Sequence, residues 1–132
     1  MLTKISHVGI EVKELQKAIE MFAALGIPCN GVVKREQLGL EIALLPFRDT
    51  EIELLAISPE KRSATLQNIT GWQHGNINHV CFQVDDIEET IKDFEKIGAK
   101  LVEGCPKQAT HGLVAFFDPS TTKGILIELC QS

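Results

Sequence analysis

The sequence predicts an α+β fold: two tandem βαβββ modules forming one curved mixed β-sheet, with the helices outside it. Three observations predict it. The stretch ISHVGIEV at 5–12 is echoed by INHVCFQV at 77–84. Each copy is followed by apolar residues at helical spacing that stop at a glycine, Gly26 in the first half and Gly98 in the second. Each half then closes on a matching strand, IELL at 52–55 and IELC at 127–130.

The elements follow in order. At an offset of 72 residues, Ile5, His7, Val8, Val12, Ile19, Phe22 and Gly26 fall on Ile77, His79, Val80, Val84, Ile91, Phe94 and Gly98. In the opening strands Val8, Ile10 and Val12, or Val80, Phe82 and Val84, share one face because strand side chains alternate. Leu15, Ala18, Ile19 and Phe22, and later Ile87, Ile91 and Phe94, form the apolar stripes of two helices. Asp85 is the expected N-cap of the second helix, and the two glycines sit where a left-handed C-terminal residue is wanted. Short strands come next, at about 31–37, 39–46 and 50–57, then at about 100–103, 112–117 and 124–130. Turns are expected at Asp49-Thr50 and Asp118-Pro119. The stretch 58–76 reads as a linker with a helical turn or two. The chain of 132 residues is thus one domain: module 1 at about 1–57, the linker 58–76, and module 2 at about 77–132.

Composition narrows the function. Hydrophobic residues make up 44% and charged residues 23%, as in a globular protein. No apolar run reaches the length of a membrane span, since LEIALLPF is broken by Glu41 and ends at Pro46. The opening MLTKISHVG shows no secretory pattern. Cys29, Cys81, Cys105 and Cys130 are scattered without a Cys-x-x-Cys pair, which suits a reduced, cytoplasmic protein. A net charge of -5 with no basic stripe argues against nucleic acid, while leaving room for an anionic small ligand.

The face opposite the helices carries His7, Gly9 and Glu11 in one copy, and His79, Cys81 and Gln83 in the other. So polar a strand face looks at water, a ligand or a metal. Each half also supplies a glutamate inside an apolar last strand, Glu53 and Glu128. A pseudo-two-fold relation would bring His7, Glu53, His79 and Glu128 about one axis. Two imidazoles and two carboxylates suit one divalent ion per chain: cobalt, manganese, zinc, nickel or iron. Any one of these residues alone reads better as a satisfied or solvated group. The repeat in register is what favours the metal. Gly9, Ala43, Cys81 and Cys130 are expected to line the same side; the two cysteines read as small packing residues or as soft ligands. His74 and His111 have no repeat partner, and are assigned to a loop and to the pocket edge.

ISHVGIEV, INHVCFQVDDI, the IELL strand and the ending HGLVAFFDPSTTKGILIELCQ resemble the vicinal oxygen chelate (glyoxalase-like) superfamily, and within it the methylmalonyl-CoA epimerases most closely. The resemblance covers essentially the whole chain and is strongest over 77–131. It implies metal binding by His7, Glu53 (a position holding Gln or Glu), His79 and Glu128. It also implies a catalytic glutamate at Glu41, within REQLGLEI, an acyl-CoA substrate and a homodimer. From spacing alone, Glu41 is balanced between a carboxylate aimed into the pocket beside Ala43 and a solvated strand residue. The sequence departs from the family at Asp118-Pro119-Ser120, where epimerases often have His-Pro-Lys, so the residues contacting CoA stay open.

The implied reaction is epimerisation of (R)/(S)-methylmalonyl-CoA. A proton is removed between a carboxylate and a thioester, giving a metal-chelated enolate, and is returned on the other face. Glu41 and Glu128 would be the two bases. Glyoxalase I (lactoylglutathione lyase) is the rival enzyme, since it uses the same fold and a His/Glu/His/Glu set. A non-catalytic small-molecule-binding protein of this fold is the rival from another class. Keeping all four ligands counts against it.

Overall fold

The computed structural model describes residues 1–61, 78–109 and 112–132. The linker from 62 onward, Ile77, His74 and His111 lie outside the described residues. The described residues form eight strands and two α-helices: β1 (Leu2–Glu11), α1 (Leu15–Ala24), β2 (Gly31–Arg35), β3 (Leu40–Phe47), β4 (Thr50–Ile57), β5 (Asn78–Val84), α2 (Ile87–Lys96), β6 (Lys107–Ala109), β7 (Gly112–Phe116) and β8 (Leu126–Gln131). Both halves are therefore βαβββ, and the class is α+β. No helix among the described residues is long and apolar enough to cross a membrane.

The chain forms two compact units, and the border between them falls inside β1 rather than only at the linker. One unit contains 7–61; the other joins 1–6 to 79–109 and 112–132. In the first, the strand order is β2-β3-β4-β1, parallel at β1/β4 and antiparallel elsewhere. In the second it is β1-β5-β8-β7-β6, with β5/β8 parallel and β8/β7/β6 antiparallel. The start of β1 is fastened there by side chains. The Thr3 hydroxyl donates to the Gln83 carbonyl at 3.0 Å, and the Met1 amine to Thr90 Oγ1 at 3.2 Å.

Each unit has its own core on one strand face. In the first, Ala43, Leu45 and Leu54 are buried against Ile10, Val12 and the α1 stripe of Leu15, Ala18, Ile19 and Phe22. In the second, Val84, Ile87, Ile91, Ala99, Ala115, Phe117 and Leu129 close a larger core, with Phe94 stacked on Phe117 at 4.6 Å. Both helix stripes are the ones expected from spacing. Burial of such side chains drives this packing.

The helices start differently. The α2 N-cap is Asp86 and not Asp85; its carboxylate accepts from Glu89 N at 3.1 Å. Gln131 Oε1 accepts from Ile87 N at 2.7 Å, so a second open amide of that turn is met from β8. The α1 N-cap, Glu14, makes no such side-chain bond. Both helices end as expected, on Gly26 (φ 93°) and Gly98 (φ 96°).

Two strand expectations need correction. The stretch 100–103 supplies only a single bridge, Leu101 to Phe117. The third strand of that half is instead Lys107–Ala109, exposed throughout its length. An exposed three-residue strand has neither the alternation nor the apolar content that marks strands in a sequence. The hairpin between β3 and β4 turns on Arg48-Asp49, one residue earlier than expected, with Arg48 left-handed at φ 57°. At the other expected turn, Asp118 caps a short 3-10 segment, Pro119–Thr121, by accepting from Ser120 N at 2.9 Å.

Candidate active site

The face away from each core carries the chemistry. In the first unit, β1 and β4 run parallel with Gly9 beside Glu53, and neighbours in register share a face. His7, two residues before Gly9, therefore lies on Glu53's face. Its Nε2 stands 3.6 Å from Glu53 Oε1. In the second unit Cys81 is beside Glu128, and His79 Nε2 lies 3.2 Å from Glu128 Oε1. All four side chains are buried: His7 is 1% exposed and the other three 5%.

Four buried ionisable groups in two matched pairs require a physical reason. Taking a carboxylate and an imidazole out of water is costly unless they are paired or bind a cation. Each pair has Nε2 and a carboxylate oxygen facing each other, as two ligands on one ion would. The donor set, nitrogen and oxygen without thiolate, fits a divalent transition metal. The residues present fit the group that the sequence implies.

The walls beside the two glutamates differ. Glu53 is flanked by Gly9 on β1 and Leu44 on β3. Glu128 is flanked by Cys81 on β5 and Phe116 on β7. Cys81, Val114 and Cys130 are buried together, with Phe116 packed against them half-buried. The expected placement of Gly9, Cys81 and Cys130 on the ligand side agrees with this register, and the cysteines serve as packing groups. None of the four cysteines is in a disulfide.

Ala43 is a correction. It pairs with Leu54, one residue from Glu53, and sits at 0% exposure in the core beneath α1. Leu44 is the β3 residue opposite Glu53. Glu41, which shares Ala43's face, therefore starts on the side away from Glu53; it pairs with Lys34 and Ala56 and is exposed. The expected orientation of Glu41 into the pocket beside Glu53 is not the one found. Spacing misled here because alternation gives two faces without saying which is which.

Two residues on the ligand-side faces escaped the sequence reading. Glu51 precedes Glu53 by two positions on β4, so it shares that face, and its Oε1 is buried. The period of two could have found it. Phe116 packs on the His79 ring, with centroids 5.9 Å apart and planes at 63°. Nothing in LVAFF marks this phenylalanine out from its neighbour.

Comparison with known proteins agrees with this geometry. A methylmalonyl-CoA epimerase of Dictyostelium discoideum is 28% identical over 129 residues, 96% of this chain and 76% of that protein. An ethylmalonyl-CoA/methylmalonyl-CoA epimerase of Cereibacter sphaeroides is 29% identical over 138 residues, covering 99% of both. The crystal structure of methylmalonyl-CoA epimerase from Mycobacterium tuberculosis superposes with a TM-score of 0.79 at 26% identity, covering 98% of this chain and 88% of that one. Residues 6–116 match the family model of the glyoxalase/bleomycin resistance protein/dioxygenase superfamily. The doubled His–Glu pair thus sits in a chain that belongs to the glyoxalase/bleomycin resistance protein/dioxygenase superfamily.

Proposed function

We propose that the protein epimerises (R)- and (S)-methylmalonyl-CoA, with His7, Glu53, His79 and Glu128 holding one divalent transition metal. The observation that carries this reading is the pair of buried His–Glu contacts at equivalent places in the two modules. The similarity to epimerases over nearly the whole chain supports the substrate class. A bound divalent ion would supply Lewis-acid stabilisation of the charge that develops when the acidic proton leaves.

The chain's own groups do the rest. The substrate carbon bears a carboxylate and a thioester, so its proton is acidified by both. Glu128 is assigned as the base on one face, in a wall of Cys81, Val114 and Phe116 that excludes water and strengthens its interactions. Inversion needs a second carboxylate on the other face, and a positioned base typically contributes about 10²–10⁴ in rate. Glu41 is assigned that role. The family resemblance at REQLGLEI supports it, and its exposed place on the far face of β3 stands against it. Its substitution decides the point. The reading includes a homodimer, by family resemblance, and a reducing, cytoplasmic setting suited to four cysteines outside any disulfide.

The experiment is isotope exchange in deuterated water. The wild type should label and interconvert both stereoisomers of methylmalonyl-CoA, and chelation should stop this without unfolding the chain. Glu41→Gln should wash label into one stereoisomer with retained configuration and hardly act on the other. Normal inversion by Glu41→Gln at full metal content would remove Glu41 from the mechanism while leaving the reaction in place. Turnover of the methylglyoxal–glutathione adduct without any turnover of methylmalonyl-CoA would replace the reading with the glyoxalase I reaction.

A further inference from the structure

The geometry points to Phe116 as the positioning residue that fixes the His79 imidazole; this rests on the reading above that His79 is a metal ligand. Phe116 stands on β7, and its strand neighbour is Glu128 on β8, not His79. His79 lies one strand further on, on β5, in register with Leu126. Neighbouring strands are about 4.8 Å apart, so side chains two strands apart meet only by leaning over the strand between them. The centroid distance of 5.9 Å and the 63° angle show that these two rings do so, edge to face, above Glu128.

That contact has a consequence for the imidazole. A histidine ring turns about its last torsion between two broad wells, and its neutral form has two tautomers. Only one ring orientation turns Nε2 to the ligand side, where Glu128 Oε1 lies 3.2 Å away and accepts from Nε2–H in the metal-free chain. The Phe116 ring packs on the imidazole and also against Cys81, Val114 and Cys130, so it is itself held in place beside the ring it would orient. An aromatic edge against a ring face also favours one relative orientation over others. Glu53, by contrast, faces Leu44 at the equivalent strand position, so the residue in Phe116's place beside the glutamate is aliphatic in the first module.

The test compares Phe116→Leu, which keeps apolar bulk but removes the ring, with Phe116→Tyr, which keeps the ring. Cobalt(II) is titrated into the metal-free full chain, with affinity and the visible ligand-field spectrum as readouts. Phe116→Leu should weaken cobalt binding about 10-fold, the scale of a lost supporting contact, and shift the spectrum. Phe116→Tyr should match the wild type in both. In the metal-free chain, nitrogen-15 shifts of His79 should report one dominant tautomer in the wild type and in Phe116→Tyr, and a mixture in Phe116→Leu. Wild-type affinity, spectrum and tautomer in Phe116→Leu would overturn the proposal. So would equal losses in both variants, which would mean that general packing is at work. Phe116→Met replaces the leucine variant if that chain does not fold. If the wild type binds no cobalt, the metal reading fails and the tautomer measurement alone decides Phe116.

Discussion

The two modules carry the same pair in different surroundings. In the first, the His7–Glu53 contact is 3.6 Å, and Glu53 stands between a glycine and a leucine. In the second, the His79–Glu128 contact is 3.2 Å, and Glu128 stands between a thiol and a phenyl ring. A repeated backbone has thus kept the donor atoms and changed the walls. The difference teaches that the duplicated pair is held constant by the repeat while the residues flanking it are free to vary. In the second module a phenyl ring also packs on the histidine.

The comparison breaks most severely at the ligands. His7→Ala and His79→Ala should each weaken cobalt binding by more than about 100-fold, beyond the range for supporting residues. Full occupancy in both, measured by metal analysis, would leave the two pairs as unrelated buried ion pairs. The glutamates should then separate the modules. Glu53→Gln should keep cobalt affinity within about 10-fold, since the family places Gln or Glu there and an amide oxygen still donates. Glu128→Gln should lose exchange at the stereoisomer that Glu128 deprotonates even where metal remains, because it removes that base. Equal loss of exchange in the two variants would show that the modules share the chemistry.

Stability should follow the cores. Leu54 and Leu129 occupy matching places in IELL and IELC, and both are at 0% exposure. Truncation to alanine should cost about 2–5 kcal/mol in each case. Leu129→Ala should be the worse of the two, because its core contains seven buried residues and the other three. Urea unfolding of the two variants checks the order. The smallest effect is expected at the helix starts. Asp86→Ala should cost about 1 kcal/mol by removing the cap on Glu89 N, while Glu14→Ala, which removes no cap, should stay near zero. Matching losses at both sites would mean that the caps do not distinguish the helices.

Where two signals coincided, sequence and structure point to the same residues. His7, Glu53, His79 and Glu128 stand out because a repeat and an alternation both selected them, and the structure buries all four. The helices were legible from their stripes and terminal glycines. Ala43 was misplaced because only alternation spoke for it, and alternation cannot tell which face bears the helix; Glu41, turned toward the pocket on the family resemblance, shares Ala43's face. The strand Lys107–Ala109 was invisible because an exposed edge buries nothing. Phe116 was hidden for a different reason. Its contact with His79 crosses β8, a strand that lies between the two in space but follows both in sequence.

The divided membership of β1 bears on how the chain reaches its native state. Residues 1–6 belong with residues more than seventy positions later, and Met1 and Thr3 are held by Thr90 and Gln83. A ribosome makes these residues well before their partners, which emerge only after the linker has been completed. Until then the opening strand presents an unpaired edge, the kind of surface that recruits other chains. Contacts of such long sequence separation also slow folding, since a large loop must close before they are formed. β1 is therefore made before its partners and completed only after them. Substitutions at Thr3 should accordingly change the yield of folded protein made in cells more than the stability of protein already folded.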